Sequence, residues 1–472
     1  MQSLETYALL TDFYELTMAQ GYFKNGKAEQ TAYFDMYFRD VPDGAGYAIV
    51  AGLEQLIEYM QNLKFTTEDI DFLRSTGTFG EEFLQYLSGF KFTCDVWAIP
   101  EGTPVFPNEP IITVRGNIIE AQLIETMLLI TVNHQSLIAT KASRIVKAAG
   151  GKPVIEFGSR RAQGSAAALY GARAAYIGGA AGTSCTLAQK RFGIPAVGTM
   201  GHSWVQSFAN EYEAFLAYAR LYPNDCTLLA DTYNTLKSGV PNAIRVFDEL
   251  NIKNGGIRVD SGDMAYLSRR AREMLDAAGY ENAKIVASNS LDEYIIRDLI
   301  TQGARIDVFG VGERLITSKS SPVFGGVYKL TALEAGGEII PKIKVSENVA
   351  KITTPYFKKV YRLFGGEDGM ALADVLTAFD EDIGCSGEYE IFDPEHTWKR
   401  KTLSNFTAKE LQAKIFDGGN LVYASPDIRE IQGYCKEQLG KIYDEVKRFE
   451  NPHKYYVDLS QKLWDIKYGM LR

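Results

Sequence analysis

The sequence predicts an α/β protein whose central part is an irregular parallel α/β barrel. Short β-rich runs recur through residues 152–312, and each is followed by a polar or Gly-rich turn and then by a helical pattern. The runs are apolar and β-branched, which is typical of parallel strands that helices cover on both faces. A long series of consecutive βα units favours a barrel over an open sheet with a switch point.

The predicted strands follow one another at a regular spacing and without a long linker. Each ends in a turn such as GSRRAQG, GHSW or SGD, which precedes the next helical pattern. The strands are KPVIEF (152–157), PAVGTM (195–200), CTLLAD (226–231), GIRVD (256–260), KIVAS (284–288) and IDVFGVG (306–312).

The two flanks of the barrel have a different pattern. The N-terminal flank mixes strands and helices, predicted at 13–22, 31–38, 52–88 and 103–116. The C-terminal flank has short charged strands, predicted at 342–351 and 354–363. It then has helix start signals, a capping-box pattern at Thr407 and Glu410 and an N-cap at Ser425 before Pro426. We expect the parts 1–125 and 336–472 to pack together around a catalytic barrel of residues 126–335.

The composition is that of an ordinary globular protein, because the 472 residues are 46% hydrophobic and 23% charged. This excludes a disordered, collagen-like or low-complexity chain. The net charge of −9 excludes a protein that coats nucleic acid, since that function needs a basic surface.

The sequence also predicts a cytoplasmic protein that does not span a membrane. The most apolar stretch, 123–132, is too short for a span, and the N-terminus lacks the basic start and cleavage site of a signal peptide. The five cysteines lie far apart without a C-x-x-C pair, which suits a reducing compartment and gives no zinc signature.

Charged and polar residues follow the predicted strands. Functional groups collect at the carboxyl ends of the strands in a parallel βα array, so we expect these side chains to meet at one mouth. A single polar residue at a strand end is more often only a turn residue, whereas a whole series favours a site. The series is Arg160, Arg161, His202, Asp231, Arg258, Asp260, Asp263, Ser288, Asn289 and Glu313.

The types of these residues indicate an anionic, phosphorylated substrate. Arg160 and Arg258 can bind phosphate or carboxylate in bidentate fashion, and Arg161 either joins them or supports the site through a salt bridge. Asp260 and Asp263 can hold Mg²⁺ or accept hydrogen bonds from ribose hydroxyls. Glycines after the last strands, Gly325 and Gly326 among them, either let backbone N–H groups approach an anion or form tight turns.

His202 is the most informative candidate, because the chain has only four histidines. An imidazole after a strand can be a nucleophile towards a phosphoryl group, a general base or a donor to a carbonyl, and the local sequence leaves these roles open. The sequence has no G-x-x-x-x-G-K-[ST] loop and no early G-x-G-x-x-G, so neither the P-loop nor the standard dinucleotide fingerprint is present.

Motifs along the chain resemble one known family, nicotinate phosphoribosyltransferase. The resemblance runs from about residue 6 to beyond residue 330, with order and spacing preserved, and it implies a type II phosphoribosyltransferase. Such enzymes have an irregular α/β barrel with a flanking α/β sandwich domain built from both chain ends, and they are usually homodimers with shared active sites. The motifs are TDFYELTMAQGYF (11–23), EFGSRRAQG (156–164), GTMGHSW (198–204), RVDSGD (258–263), ASNSLDEY (287–294) and GGVYKL (325–330).

The resemblance implies the first step of NAD salvage from nicotinate. Nicotinate and phosphoribosyl pyrophosphate would give nicotinate mononucleotide and pyrophosphate, with Mg²⁺ bound and with coupled hydrolysis of ATP as a co-substrate. The family's G-T-x-x-H-S histidine is phosphorylated by ATP, so the resemblance makes His202 the phosphohistidine.

The resemblance also implies roles for the remaining candidates. Tyr14 would stack on the pyridine ring from the neighbouring subunit. Thr199 and Arg258 would contact nicotinate, with Arg258 opposite its carboxylate. Arg160 would engage the substrate phosphates as a catalytic residue, and Asp260 would be the third catalytic residue beside His202.

Asp260 and Asp263 would serve the ribose or Mg²⁺. Some family members have a hydroxyl residue near position 313 that contacts the phosphoribosyl donor, and Glu313 departs from that pattern. The other substrate-binding residues expected are Ser288, Asn289, Gly325 and Gly326.

Three alternatives compete with this reading of the sequence. A nicotinamide-using relative would have the same class of barrel, but Arg258 and the TDFYELTMAQ start favour the acid. A barrel hydrolase would use paired carboxylates such as Asp231 and Asp260, but the arginines at the strand ends argue against it. A non-catalytic scaffold would have no need of Arg160 and His202.

Overall fold

The structure is a computed structural model that describes residues 4–348, 351–384 and 387–472. The chain forms two compact units. The first contains the residues up to Leu137 together with those from Val323 onward, and the second contains Ile138–Pro322. These boundaries differ from the predicted ones at 125/126 and 335/336.

The strands, in chain order, are β1 (Thr31–Tyr37), β2 (Ala48–Ile49), β3 (Asp95–Ala98), β4 (Pro104–Val105), β5 (Ile112–Asn117), β6 (Val154–Glu156), β7 (Gly182–Thr183), β8 (Thr227–Leu229), β9 (Gly256–Val259), β10 (Lys284–Asn289), β11 (Val308–Val311), β12 (Val327–Ala335), β13 (Glu338–Pro341), β14 (Lys358–Gly365), β15 (Ala371–Ala378), β16 (Tyr389–Phe392), β17 (Arg400–Leu403), β18 (Phe406–Glu410), β19 (Ala413–Asp417), β20 (Asn420–Leu421) and β21 (Val457–Leu459).

The helices, in chain order, are α1 (Phe13–Lys24), α2 (Leu53–Asn62), α3 (Thr67–Ser75), α4 (Glu81–Ser88), α5 (Ile118–Leu123), α6 (Glu125–Ala148), α7 (Ser165–Ile177), α8 (Thr186–Phe192), α9 (His202–Gln206), α10 (Glu211–Leu221), α11 (Val240–Leu250), α12 (Met264–Ala277), α13 (Glu293–Thr301), α14 (Glu313–Ile316), α15 (Ile428–Gly440) and α16 (Gln461–Gly469).

The second unit contains a parallel sheet in the order β7-β6-β11-β10-β9-β8. The last strand in sequence, β11, pairs with the first, β6, as in a barrel, and Phe309 lies opposite Val154. Ala196 adds one parallel bridge to Thr183 at the β7 edge. No strand pairing among the described residues joins that edge to β8, so the predicted barrel is confirmed as an irregular and incompletely closed one.

The strands of this sheet form where the sequence predicts parallel strands, because their Val and Ile side chains are buried between the sheet and the helices. Ile257, Ile285 and Phe309 are fully buried. Two details differ from the sequence prediction. The predicted strand 195–200 is reduced to the bridge at Ala196, and β7 forms at Gly182–Thr183, where the sequence predicts no strand.

The first unit contains a larger sheet in the order β13-β12-β1-β5-β3-β19-β20. Its inner strand β1 is covered on both faces, so almost all of TAYFDMY is buried. β1 pairs antiparallel with β5 and with β12. Residues from both chain ends therefore share one sheet, as the resemblance implied.

A four-stranded sheet in the order β18-β14-β15-β21 also lies in the first unit. One face of it packs on the β16–β17 hairpin through buried apolar side chains. The cluster is Tyr361, Leu363, Ala373, Val375, Ile383, Ile391, Leu403 and Phe406.

Two helix start signals of the C-terminal flank were wrong. Thr407 and Glu410 lie in β18, which pairs antiparallel with β14, so strand pairing outweighs the local capping pattern. Ser425 does not cap a helix, because α15 starts at Ile428 and Asp427 forms its capping box with Glu430.

The predicted strand 342–351 also fails over residues 342–348, which have no regular structure, and 349–350 lie outside the described residues. Among the described residues, no helix has the length and apolar character needed to cross a membrane. Cys94, Cys185, Cys226 and Cys435 are free thiols, and Cys385 lies outside the described residues.

Candidate active site

The carboxyl ends of the parallel strands bring most of the predicted site residues together within the second unit. Parallel strands end at the same edge of a sheet, so the residues that end or follow β8, β9 and β10 are neighbours there. His202 starts α9, after the bridge at Ala196.

Arg258 lies at the centre of this edge, with a mostly buried side chain. Its Nε donates to Ser288 Oγ at 2.8 Å, and its Nη2 donates to Asp260 Oδ1 at 3.0 Å. Its Nη1 donates to Thr199 Oγ1 at 3.0 Å and lies 3.5 Å from the carbonyl oxygen of Met200. The guanidinium therefore holds three other predicted site residues, Ser288, Thr199 and Asp260, in one arrangement around Arg258.

Asp260 is held in its ionised form by these neighbours. Burial alone would raise the pKa of its carboxyl, but hydrogen bonds from Ser288 and Arg258 and the Arg258 charge outweigh that effect, so the pKa lies below its usual value. Ser288 Oγ donates to the same Oδ1 that Arg258 contacts. The second oxygen, Oδ2, lies 3.9 Å from His202 Nε2.

Both nitrogens of the His202 ring face groups of the strand ends. Nδ1 lies 3.1 Å from Thr232 Oγ1. Nε2 lies 3.9 Å from Asp231 Oδ1 and 3.9 Å from Asp260 Oδ2. The side chain is 41% exposed, so a ligand can reach the ring from solvent.

Asp231 is the most buried carboxylate of the group, with a side chain that is 1% exposed. Its Oδ2 accepts from Asp260 N at 2.9 Å and from Ser261 Oγ at 2.6 Å. Its Oδ1 has no hydrogen-bond partner and faces His202. A buried, unpartnered carboxylate oxygen is costly, so this atom marks a place for a cation or a donor.

The two arginines after β6 lie on an exposed turn, Ser159–Arg161. Arg160 has no hydrogen-bond or ion-pair partner among the described residues, so its guanidinium is available to a ligand. Arg161 Nε lies 3.9 Å from Glu313 Oε2. Lys319 Nζ lies 2.7 Å from Glu313 and, chiefly through this hydrogen bond, lowers the pKa of the Glu313 carboxyl.

Asp263 and Asn289 have local structural roles at the same edge. Asp263 is the N-cap of α12, and its Oδ1 accepts from Tyr266 N at 2.9 Å. Asn289 ends β10 with a φ of 151°, a conformation that side chains rarely adopt. Its Oδ1 accepts from Ser290 N at 2.7 Å.

Three predicted site residues belong to the first unit. Tyr14 lies on α1 and is 45% exposed as a residue, and burial of the hydroxyl, together with Glu125, raises its pKa. Gly325 has a φ of 73°, which favours glycine. A Cβ on Gly326 would lie 2.2 Å from Asn133 Oδ1, so a side chain there would displace the Asn133 amide.

Three residues of this site were not singled out from the sequence. Thr232 follows Asp231, so it could have been found by the rule that functional groups collect at the carboxyl ends of parallel strands (the strand-end rule). Phe157 lies in the EFGSRRAQG motif, and its ring centroid is 5.6 Å from the Arg258 guanidinium. Glu156, in the same motif, is fully buried beneath the arginine turn, and nothing in the local sequence showed its contacts.

Asp231 and Asp260 offer the carboxylate type that Mg²⁺ takes at phosphate sites. No cluster of three or more His, Cys, Asp or Glu side chains among the described residues could hold a metal by itself. Mg²⁺ at phosphate sites usually takes only one or two protein carboxylates, however. Asp260 Oδ2 and the unpartnered Asp231 Oδ1 both face His202, whereas Asp263 Oδ1 caps a helix.

This arrangement combines an exposed cationic turn, a buried arginine with an aromatic ring beside it, two ionisable carboxylates and an accessible imidazole. Such groups can bind a planar carboxylate and a pyrophosphate together and can stabilise negative charge that develops on a leaving oxygen.

Comparison with known proteins agrees with this chemistry. The chain matches the model of the nicotinate phosphoribosyltransferase (NAPRTase) N-terminal domain over residues 9–133. It matches the NAPRTase family model over residues 153–362 and the C-terminal domain model over residues 357–467.

Similar proteins cover nearly the whole chain. Nicotinate phosphoribosyltransferase of Bacillus subtilis (strain 168) is 47% identical over 465 residues, which are 98% of this chain and 95% of that protein. The Homo sapiens enzyme is 32% identical over 517 residues, covering 96% of this chain and 95% of its own. A crystal structure of human nicotinic acid phosphoribosyltransferase has a TM-score of 0.85 and 29% identity, over 98% of this chain and 100% of that one. The chain therefore belongs to the nicotinate phosphoribosyltransferase family.

Proposed function

We propose that this protein makes nicotinate mononucleotide and pyrophosphate from nicotinate and phosphoribosyl pyrophosphate, with coupled hydrolysis of ATP. The pyridine nitrogen donates its electron pair to the anomeric carbon of the ribose. The bond from that carbon to the pyrophosphate oxygen breaks, and pyrophosphate leaves with the bonding electrons. No proton is lost, because the ring nitrogen of nicotinate carries none at neutral pH.

The single observation that carries this proposal is the contact of Arg258 with Asp260, Ser288 and Thr199 beside His202. Residues far apart in the sequence form one polar site at the strand ends, where substrates bind in parallel βα folds. Family membership supports the same reaction.

Arg258 and Phe157 are the proposed contacts for the pyridine ring. A planar guanidinium suits a carboxylate, and the aromatic ring beside it offers a surface for stacking. Nicotinate carries the carboxylate that this pair suits, whereas nicotinamide does not. We therefore assign the acid as the substrate.

Arg160 is the proposed contact for the substrate phosphates. Its guanidinium is exposed and unpaired among the described residues, which leaves it free for bidentate binding of phosphate. Asp260 accepts hydrogen bonds from the ribose hydroxyls or binds Mg²⁺, and Ser288, Asn289 and Asp263 line the same edge.

His202 is the proposed acceptor of the γ-phosphoryl group of ATP. A ring nitrogen attacks the γ-phosphorus, the bond to the β,γ-bridging oxygen breaks, and ADP leaves. Water later hydrolyses the phosphohistidine to orthophosphate. Asp260 with Asp231 would hold Mg²⁺, which neutralises phosphate charge when it is bound.

The remaining assignments concern the substrate contacts of three further residues, the oligomeric state and the cellular compartment. We assign Tyr14, Gly325 and Gly326 to substrate contacts within a homodimer whose sites take residues from both subunits. The exposed Tyr14 ring is compatible with that role. The four free thiols of the described residues suit a reducing cytoplasm.

The test is a product assay of the purified full chain with Mg²⁺. Nicotinate and phosphoribosyl pyrophosphate should give nicotinate mononucleotide and pyrophosphate, and ATP should raise the yield with release of ADP. Nicotinamide should react far more weakly in a parallel assay. Faster use of nicotinamide would contradict the assignment of the acid. If neither pyridine is turned over, the proposed activity is refuted and the non-catalytic scaffold is favoured.

A further inference from the structure

We propose that Glu156 is a positioning residue that fixes the Ser159–Arg161 turn and thereby aims Arg160 at the substrate phosphates. The inference rests on the proposed function of Arg160. It concerns a residue beneath the site that does not touch the substrate.

Both carboxylate oxygens of Glu156 are used, although the side chain is fully buried. Oε1 accepts from the N–H of Gly158, the residue directly before the turn. Oε2 accepts from Thr183 Oγ1 at 2.6 Å. Glu156 therefore ties the end of β6 to the turn and to the end of β7.

The turn has little freedom at the point that Glu156 anchors. A Cβ on Gly158 would lie 2.6 Å from Ile316 Cβ, so the backbone approaches α14 closely. Arg161 N donates back to the Gly158 carbonyl oxygen at 2.7 Å. The backbone that carries Arg160 is thus fixed from below, while the Arg160 side chain faces solvent.

The neighbouring loop is fixed by the same contacts. Thr183 Oγ1 also accepts from Cys185 N at 3.0 Å, and Ser184 N donates to the Glu156 carbonyl oxygen at 2.8 Å. Ser159 Oγ lies 3.2 Å from Ser184 Oγ, which joins the two loops at the surface. β7 has only two residues and pairs with the end of β6, so the side-chain bonds of Glu156 and Thr183 add to a short backbone pairing.

The Glu156 carboxylate accepts from both donors at once. Burial raises the pKa of Glu156, and the hydrogen bonds from Thr183 and Gly158 oppose that effect. A glutamine keeps an acceptor oxygen for Gly158 N, but its NH₂ group would face Thr183 Oγ1, which already accepts from Cys185 N. The Thr183 hydroxyl would have to turn its hydrogen away, so Glu156→Gln disturbs the bond between the two loops.

The experiment compares Glu156→Gln, Thr183→Val and Thr183→Ser with the wild-type chain. Glu156→Gln and Thr183→Val should each raise the KM for phosphoribosyl pyrophosphate about tenfold or more, because small displacements of a substrate-binding group are costly. The KM for nicotinate should change less than about twofold, since Arg258 is not held by these bonds and Phe157 N is held by the Val311 carbonyl oxygen at 2.8 Å instead. Thr183→Ser keeps the hydroxyl and should retain most of the affinity for phosphoribosyl pyrophosphate. The double variant Glu156→Gln/Thr183→Val should have a KM no higher than that of either single variant, because both changes break the same bond.

Glu211→Gln is the matched control. Glu211 is another buried carboxylate of the second unit, and it accepts from Ser238 and Asn242 away from the arginine turn. Its variant should lower the melting temperature without raising the KM for phosphoribosyl pyrophosphate. An unchanged KM in a folded Glu156→Gln variant, or equal losses for both substrates, would overturn the proposal. Inactive wild-type protein would instead refute the proposed function itself.

Discussion

At the scale of single residues, the contacts of His202 decide how this site can work. The ring lies between the Thr232 hydroxyl on one nitrogen and two carboxylates that face the other. The hydrogen bond between Nδ1 and Thr232 defines the orientation of the imidazole, and a fixed nucleophile reacts faster than a mobile one.

Thr232 should therefore affect the ATP-dependent half of the reaction. Replacing it with Val removes the hydroxyl at nearly constant volume, and we expect phosphorylation of His202 by ATP to slow about three- to tenfold, the effect of one lost hydrogen bond. Thr232→Ser keeps the hydroxyl and should stay close to wild type. Labelling of the protein with γ-³²P-ATP measures this step, and equal rates in Val and Ser variants would contradict the role of the hydroxyl.

Arg258 should govern recognition of the pyridine carboxylate. Arg258→Lys keeps a positive charge but cannot make the three side-chain contacts, so we expect the KM for nicotinate to rise about tenfold to a hundredfold. Steady-state kinetics with nicotinate and with nicotinamide measure the effect, which should be smaller for the amide. Arg220→Lys, on the exposed pair with Glu249, serves as the control. An unchanged KM for nicotinate would refute the assignment.

At the scale of elements, a buried ionic group joins β14 and β15 in the first unit. Arg362 on β14 donates to Asp374 on β15 at 2.8 and 2.6 Å and to the carbonyl oxygen of Pro104 at 2.9 Å. Tyr455 OH donates to Asp374 at 2.9 Å. A second buried carboxyl, that of Glu109, lies beside Asp374 in this group. Burial, followed by the neighbouring Asp374 charge, raises the pKa of Glu109 well above its usual value.

This raised pKa predicts how stability depends on pH. Folded Glu109 holds its proton at a pH where the unfolded chain has lost it, so this group lowers stability as the pH rises above the ordinary glutamate pKa. Glu109→Gln keeps a neutral donor and removes the titration. We expect it to raise the melting temperature at pH 8 by about 2–4 °C, the shift that about 1 kcal/mol gives in a large domain, with little change at pH 4.

Thermal unfolding of both proteins at the two pH values measures this difference. Asp374→Asn is the contrasting variant, because it breaks a buried ion pair and should destabilise the protein at both pH values. The same shift at both pH values for Glu109→Gln would contradict the raised pKa.

The elements also show which local signals predict structure. Strands β8 to β11 form where the βα pattern predicts them, because buried Val and Ile runs have few alternatives. The Thr407–Glu410 pattern is wrong as a helix start, since the alternating burial of Phe406–Glu410 also suits a strand and β14 supplies the partner. Only the pairing with a distant strand distinguishes a helix start from a strand in this segment.

At the scale of the whole molecule, the predictable part of the site is the part that the strand-end rule covers. Arg258, Asp260, Ser288 and His202 lie in contact or within a few ångströms, as that rule predicts for parallel strands. Glu156 meets its partner through β7, which is too short to leave a sequence pattern. Interactions between distant segments therefore account for what the sequence did not show.

The most direct measurement counts ADP against nicotinate mononucleotide in the wild-type chain and in His202→Ala. In wild type, ADP release should require both nicotinate and phosphoribosyl pyrophosphate and should accompany product formation. In His202→Ala, ADP release should disappear while transfer continues slowly at high donor concentration. Product-coupled ADP release that persists in His202→Ala would contradict the central claim that the imidazole at these strand ends carries the phosphoryl group.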